Sequence, residues 1–311
     1  MQRIGSFDIL KGIGIILMIV AHTYGPNHMI WDFIYAFHMP LFFIVSGYFY
    51  KQSLFLETLK KNCDQILIQY IVLCLIIIIL NQVRQPHIIQ TDIKSAFYGM
   101  GPGWFLLAMF MVRLEFRYIL KLFPNHYLLI SLFISIGVCI TTYYQGILSF
   151  LSIFPSLAGL FFISAGYYIK QHLILDFINK HSFCMVFIAL IFWLITSLYG
   201  KVELSQCIFK LSIIDFAGSL GGTLLFFKLS QIIDKHSYFL KNALSFAGKY
   251  SIVFLFFHCI DYCVPFWYPI VPYLPSSLLI PTILVIRILF VTICVFLTLN
   301  IKWLRLFFRI Q

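Results

Sequence analysis

Long apolar runs, separated by short polar segments, follow one another along this whole chain. A helix that crosses the hydrocarbon core of a bilayer needs about 20 mostly apolar residues. Runs of this length lie at 6–25, 33–50, 64–82, 103–120, 127–144, 147–169, 182–200, 211–229, 250–268 and 281–300. The pattern predicts an all-α fold: a polytopic transmembrane bundle of about ten helices, with residues 1–311 forming one domain.

The composition agrees with a membrane protein and excludes a soluble one. Of 311 residues, 61% are hydrophobic and 11% are charged, whereas soluble domains have about 25% charged residues. The net charge of +11 would also suit a nucleic-acid partner. Lys and Arg, however, lie in the segments between apolar runs rather than on one amphipathic face, which favours topology signals over nucleic-acid binding.

The basic residues also test the number of spans. If the amino terminus is cytoplasmic and the spans alternate, the outer loops contain only Arg84, Lys94, Lys201 and Lys210. The cytoplasmic segments then contain Arg3, Lys51, Lys60, Lys61, Arg117, Lys121, Lys170, Lys180, Lys228, Lys235, Lys241, Lys249, Lys302, Arg305 and Arg309. Cytoplasmic loops carry an excess of Lys and Arg, so this asymmetry predicts that both termini are cytoplasmic.

The first predicted helix carries three ionisable residues, Asp8, Lys11 and His22. Each such residue costs about 3 kcal/mol or more in the hydrocarbon region, and it usually faces a cavity or a partner. At 100° per residue, Lys11 and His22 lie about 20° apart around the helix, and Asp8 lies about 40° from His22. One polar stripe is therefore predicted. The alternative is a local Asp8–Lys11 pair with His22 at the outer headgroup level.

His38 begins the second apolar run at a depth close to that of His22. The two histidines would suit a base and its orienting partner, or two metal ligands. No carboxylate or third histidine lies at ligand spacing, so a metal site is not favoured. Pro40, two residues later, is expected to loosen the helix.

Three further positions are candidates for binding. Trp104 follows Gly101-Pro102-Gly103 and would be either an interfacial anchor or a platform for a sugar ring. Arg113, within the same helix, would contact a cofactor phosphate, or form an ion pair or snorkel to the headgroups. In the last two helices, Asp261 and Arg287 lie at similar depth, and a structural ion pair is favoured over a catalytic role.

Two motifs near the amino terminus resemble the acyltransferase-3 family, and within it the fucose 4-O-acetylase-like branch. They are Arg3…Asp8-Ile9-Leu10-Lys11-Gly12…Val20-Ala21-His22 and the sequence FHMPLFFIVSGYFY at 37–50. GWFLLAMF (103–110), Ala-Gly-Tyr (165–167) and LSFAGKYSIVFLFFH (244–258) add support. The resemblance implies a multi-pass enzyme of the bacterial plasma membrane that moves an acyl group, in most members acetyl, from cytoplasmic acyl-CoA to a glycan.

The resemblance also implies roles for residues of this chain. The family's basic residue–x10–His motif falls on Lys11 and His22, and its acidic position falls on Asp8, although many members have Arg where this chain has Lys11. His22 would be the base or a transient acyl carrier, with Asp8, Lys11 and His38 beside it. Lys11, Arg113 and Ser46 would contact acetyl-CoA, whereas Trp104 and His258 would hold the acceptor. No metal is expected.

The expected partners are membrane lipid and an acceptor such as O-antigen, capsule, exopolysaccharide or a lipid-linked sugar; whether the chain forms a homo-oligomer stays open. The main competing interpretation is a transporter or flippase for a lipid-linked saccharide, and a structural or sensory protein is a third. Many secondary transporters contain internal repeats. No repeat is evident in this sequence, which favours the enzyme.

Overall fold

The structure is a computed structural model, and it describes residues 5–84, 94–97, 99–145 and 150–310. Arg3, which belongs to the first motif and to the predicted cytoplasmic set, lies outside the described residues. The fold is a bundle of α-helices, as predicted. They are α1 Gly5–Tyr24, α2 Met29–Tyr35, α3 His38–Tyr48, α4 Phe55–Asn62, α5 Ile68–Arg84, α6 Trp104–Leu122, α7 Tyr127–Gln145, α8 Ile153–Gln171, α9 Ile174–Lys180, α10 Ser182–Tyr199, α11 Ile213–His236, α12 Tyr238–Lys249, α13 Ser251–Cys263, α14 Ser276–Asn300 and α15 Lys302–Phe307.

Among the described residues, seven helical segments are long and apolar enough to cross a membrane. They are α1, α2 with α3, α4 with α5, α8, α10, α11 and α14. The pair α12 and α13, bent by 74°, would make an eighth. The two remaining predicted spans coincide with α6, which carries four charged residues, and with α7. For those two helices the crossing of the membrane stays a prediction.

The second predicted span is a broken helix, and Pro40 explains the break. A proline ring clashes with the carbonyl four residues earlier, which here belongs to Ala36. α2 ends at Tyr35 and α3 begins at His38. The segment also begins earlier than predicted, because the His28 side chain caps α2 by accepting a hydrogen bond from the amide of Ile30 at 3.1 Å. The break changes the orientation of the Tyr35 side chain relative to that of His38.

Helix α1 lies at the centre of the bundle and packs against α2, α3, α11, α12, α13 and α14. Glycines allow the closest of these contacts. A Cβ atom at Gly12 would overlap the carbonyl oxygen of Leu244, and one at Gly248 would overlap the carbonyl oxygen of Asp8. The backbones of α1 and α12 therefore touch, as small residues permit in membrane bundles.

A β-hairpin that the sequence pattern did not predict follows α10. Its strands, Val202–Glu203 and Ile208–Phe209, pair antiparallel with Val202 opposite Phe209. Phe209 stacks on Phe216 of α11 with ring centroids 4.3 Å apart. Burial raises the pKa of the Glu203 carboxyl, whereas the neighbouring Lys201 ammonium lowers it.

Both ends of the described chain lie at one end of the bundle, which we call the terminal end. Phe7, near the start of α1, contacts Tyr48 at the end of α3, with ring centroids 4.5 Å apart. Arg309 forms a 2.9 Å ion pair with Asp64, which follows α4. The opposite end, where α1 finishes at Tyr24, is called the far end. That the terminal end faces the cytoplasm remains a prediction from the distribution of basic residues.

Candidate active site

His22 occupies the last turn of α1, near the far end, and its ring points into the protein. Its Nε2 atom lies 2.9 Å from the hydroxyl oxygen of Tyr35 on α2. Its Nδ1 atom is buried and has no hydrogen-bond partner among the described residues. One nitrogen of this imidazole is therefore held by a hydrogen bond, and the other is unpaired within the described residues.

Two side chains of α13 complete the surroundings of this imidazole. The rings of His258 and Tyr262 lie edge-on to the His22 ring, with centroids at 5.1 Å and 4.9 Å. His258 is fully buried, and within the described part of the chain neither of its nitrogens has a hydrogen-bond partner. Buried polar groups normally find a partner, and exceptions mark sites completed by water or ligand.

His38 is near His22, as the sequence predicted, but Tyr35 lies between them. The Nδ1 atom of His38 is 3.1 Å from the carbonyl oxygen of Ile34, and a carbonyl can only accept. Nδ1 therefore carries the proton, and Nε2, which is buried with no partner in the described residues, has the lone pair when the ring is neutral. The Tyr35 and His38 ring centroids are 4.5 Å apart.

A buried ion pair holds α1 in place behind this cluster. Arg287 Nε lies 2.8 Å from Asp261 Oδ2, which confirms the predicted structural pair. The other carboxylate oxygen accepts a hydrogen bond from Trp267 at 3.0 Å. Arg287 also donates to the carbonyl oxygen of His22 at 2.9 Å and to the hydroxyl of Thr23 at 3.2 Å. The pair therefore fixes the backbone of His22, which the sequence did not predict.

A cavity of about 700 Å³ opens toward the terminal end of the bundle. Ligand sites commonly measure about 300–1,000 Å³, so this volume suits a large cofactor. The cationic residues in its lining are Lys11, Lys51, Lys61 and Arg113. Glu57 is the one carboxylate that the described residues contribute to the lining, so the wall favours an anionic ligand.

Arg113 and Ser46, both predicted to contact a cofactor, meet on this wall. Arg113 Nε donates to Ser46 Oγ at 3.0 Å, and a second guanidinium nitrogen donates to Asn62 Oδ1 at 3.3 Å. Both partners are neutral, so they orient the guanidinium without cancelling its charge. A fixed guanidinium suits bidentate contact with a phosphate.

Lys11 both pairs with Asp8 and faces the cavity, the two arrangements that its position in the sequence suggested. It forms a 2.9 Å ion pair with Asp8, one turn earlier on α1, and it also lines the cavity. The Asp8 side chain is 11% exposed and that of Lys11 is 25% exposed. The ammonium group is thus oriented by its own helix toward the space that a ligand would occupy.

The cavity approaches the histidine cluster without including it. Its innermost apolar lining includes Met18, one helical turn before His22, and Leu255, one turn before His258. Met39, next to His38, also lines it. The predicted polar stripe of α1 is therefore divided: Lys11 faces the cavity, and His22 lies one turn beyond its inner end.

The family model described as "Acyltransferase domain", Acyl_transf_3, matches residues 4–302 of this sequence. The chain belongs to the acyltransferase-3 family. No curated protein and no solved structure matches it significantly. The match supports a membrane acyltransferase and gives no support to a transporter.

Acyl transfer requires a base, a held donor and donors of hydrogen bonds to the oxyanion. This acyltransferase brings His22, His38 and His258 together at the far end and gathers Lys11, Arg113 and Ser46 around the cavity. Trp104 is not one of the described residues that line the cavity. Among the described residues its ring contacts Phe105, at 6.1 Å, and does not contact His22. Its binding of an acceptor stays a prediction.

Sequence reasoning missed three residues of the acyltransferase site, namely Tyr35, Tyr262 and Asn62. Tyr262 lies one turn after His258 on α13, so it shares a helix face with a histidine that was recognised. That spacing was the available signal. Tyr35 lies three residues before His38, but the break between α2 and α3 separates the two residues. No spacing signal identified Asn62, because it is the last residue of α4 and precedes a π-helical turn at Cys63–Leu67.

Proposed function

We propose that this acyltransferase is an O-acetyltransferase of the bacterial plasma membrane. In this proposal, it transfers acetyl from cytoplasmic acetyl-CoA to a hydroxyl of a cell-surface or lipid-linked glycan. The motifs at 3–22 and 37–50 favour the fucose 4-O-acetylase-like branch. The observation that carries the proposal is a cation-lined cavity whose inner end stops one helical turn from an imidazole with a free nitrogen.

The donor is assigned to the cavity because its chemistry matches the lining. Acetyl-CoA is a long anionic molecule with phosphates at one end and a thioester at the other. Lys51 and Lys61, near the mouth, are suited to the phosphates, and Lys11 and Arg113 to phosphates or to the polar part of the pantetheine arm. The inner lining of Met18, Met39 and Phe105 suits the apolar part of the arm.

The reaction follows from the free nitrogen of His22. The acceptor hydroxyl oxygen attacks the thioester carbonyl carbon while its proton passes to His22. The tetrahedral intermediate collapses, the C–S bond breaks, and the proton on His22 passes to the departing thiolate. The products are the acetyl ester and CoA–SH. His258, whose nitrogens have no partner within the described residues, would donate to the oxyanion, and His38 would orient the base.

The test uses the full chain reconstituted in lipid vesicles with isotope-labelled acetyl-CoA and the glycan fraction of the source membrane. His22→Ala and His22→Gln are expected to lose at least 100-fold in transfer, because a general base contributes about 10²–10⁴ in rate. His22→Gln is the matched control for packing, since its amide can still reach Tyr35. Wild-type transfer by either variant would refute the role of His22, and label confined to acetyl-CoA with the unmodified chain would refute the acetyltransferase.

A further inference from the structure

We propose that Tyr35 is a positioning residue that makes Nδ1 the proton-accepting atom of His22. The inference rests on the proposed function, because it assumes that His22 takes a proton from the acceptor. A neutral imidazole has one N–H and one lone pair, and the hydrogen bond at one nitrogen decides where the lone pair lies.

The geometry leaves one nitrogen for the substrate. Nε2 is occupied by the Tyr35 hydroxyl at 2.9 Å, whereas Nδ1 is buried and has no partner in the described part of the chain. A base must present its lone pair where the reacting hydroxyl can reach it. Nε2 of neutral His22 therefore carries the proton and donates a hydrogen bond to the phenol oxygen of Tyr35, and the lone pair lies on Nδ1.

The Tyr35 side chain is fixed by its neighbours, so its hydroxyl stays next to Nε2 of His22. Its ring stacks on Trp31 with centroids 3.6 Å apart and planes at 17°, and the His38 ring contacts it at 4.5 Å. His38, three residues along the chain, lies on α3, beyond the break that ends α2 at Tyr35. A tyrosine has few rotatable bonds, so little entropy is lost in fixing its hydroxyl.

The other polar groups around His22 do not determine which of its ring nitrogens carries the proton. His258 and Tyr262 of α13 meet its ring through ring edges, and Trp31 lies 5.5 Å away. Arg287 of α14 is bonded to Asp261 and to the backbone carbonyl of His22. His38 of α3 donates to Ile34. Among the described residues, only Tyr35 hydrogen-bonds to the imidazole.

The direction of the hydrogen bond has an observable consequence. If the phenol oxygen accepts from Nε2–H, it stabilises the protonated imidazole that forms during transfer. If the phenol donated to Nε2 instead, it would stabilise the neutral ring with a proton on Nδ1 and leave no lone pair for the substrate. Removing the hydroxyl therefore moves the acidic limb of the pH–activity profile in opposite directions in the two cases.

The experiment compares Tyr35→Phe with the unmodified chain in the same vesicle assay. The variant keeps the ring that stacks on Trp31 and loses only the oxygen. We expect kcat to fall about tenfold to hundredfold, less than the loss at His22, and the KM for acetyl-CoA to stay within about twofold, because Tyr35 does not line the cavity. The acidic limb is expected to move to lower pH. Tyr168→Phe, near His172 at the terminal end, is the matched control.

Each outcome separates the two hypotheses. An unchanged kcat and profile in Tyr35→Phe, with His22→Ala inactive, would overturn the positioning role and leave the proposed function standing. A shift of the limb to higher pH would overturn the assignment of Nδ1. Wild-type activity in His22→Ala would remove the role of His22 on which this inference rests, and the acetyltransferase itself would stand. If Tyr35→Phe does not fold, Tyr35→Gln, whose amide oxygen also accepts a hydrogen bond, must exceed Tyr35→Leu in kcat at equal thermal stability.

Discussion

The two halves of α1 carry different kinds of polar chemistry. Its first turns present an ion pair, Asp8 with Lys11, that is partly exposed and faces a cavity lined by further cations. Its last turn presents an imidazole among neutral rings, with the buried Asp261–Arg287 pair behind it. Exposed charges attract anions over a distance, whereas a base needs a neutral lone pair and a fixed position. One helix therefore joins a region suited to binding with a region suited to reaction.

The strongest test of this division is Arg287→Ala, which leaves the Asp261 carboxylate buried without its partner. Breaking a buried ion pair costs about 3–5 kcal/mol, and the His22 carbonyl also loses a donor. We expect a large fall in thermal stability and a loss of transfer. The double variant Asp261→Leu with Arg287→Leu should regain stability, because apolar residues often replace a buried pair without loss. Activity should not return with it. Recovery of both would reduce the pair to a packing element.

A smaller effect, on binding alone, is expected from Arg113→Ala. A hydrogen bond to a charged group contributes about 1.5–3 kcal/mol, so the KM for acetyl-CoA should rise roughly tenfold to hundredfold with kcat nearly unchanged. Ser46→Ala should have a weaker effect of the same kind, since the Ser46 hydroxyl is neutral and orients the guanidinium. Equal losses in kcat and in kcat/KM would show that Arg113 acts in the reaction instead.

The smallest effect is expected at Lys11. Exposed ion pairs contribute about 0.2–1 kcal/mol, so Lys11→Ala should raise the KM for acetyl-CoA about two- to fivefold, and added salt should reduce the difference. Asp8→Asn separates the two roles of Lys11. If the ammonium group binds the donor, Asp8→Asn leaves KM unchanged or lower. A rise in KM as large as that of Lys11→Ala would mean that the local pair matters for structure only.

Much of this division was predictable from the chain itself, because helical periodicity is regular. The apolar runs gave the bundle, and the 11-residue separation of Lys11 and His22 placed both on one face of one helix. The depths of Asp261 and Arg287 in neighbouring spans predicted their ion pair, which the structure confirms. Each of these inferences needs only the rise and turn of an uninterrupted helix.

The features that could not be predicted depend on breaks within helices and on contacts between helices that are distant in the sequence. The contact between Tyr35 and His22 requires the break at Ala36 and Phe37, whose direction is set by packing against α1. The hairpin at Val202–Phe209 is held by Phe216 of α11, a contact between segments whose mutual placement no local pattern encodes. The end of the cavity one turn before His22 is likewise a property of several helices together.

The paired glycines of α1 and α12 have a consequence for the distance between two imidazoles. Gly12 and Gly248 mark the point where the two backbones touch, and His22 and His258 each lie ten residues beyond their own glycine. On α1 this arm is straight and about 15 Å long; on the other chain segment it turns through 74° on the way. The two segments thus diverge from a backbone contact that Gly12 and Gly248 make possible because neither has a side chain. A methyl group added at Gly12 or Gly248 would push the two backbones apart and increase the distance between the His22 and His258 rings.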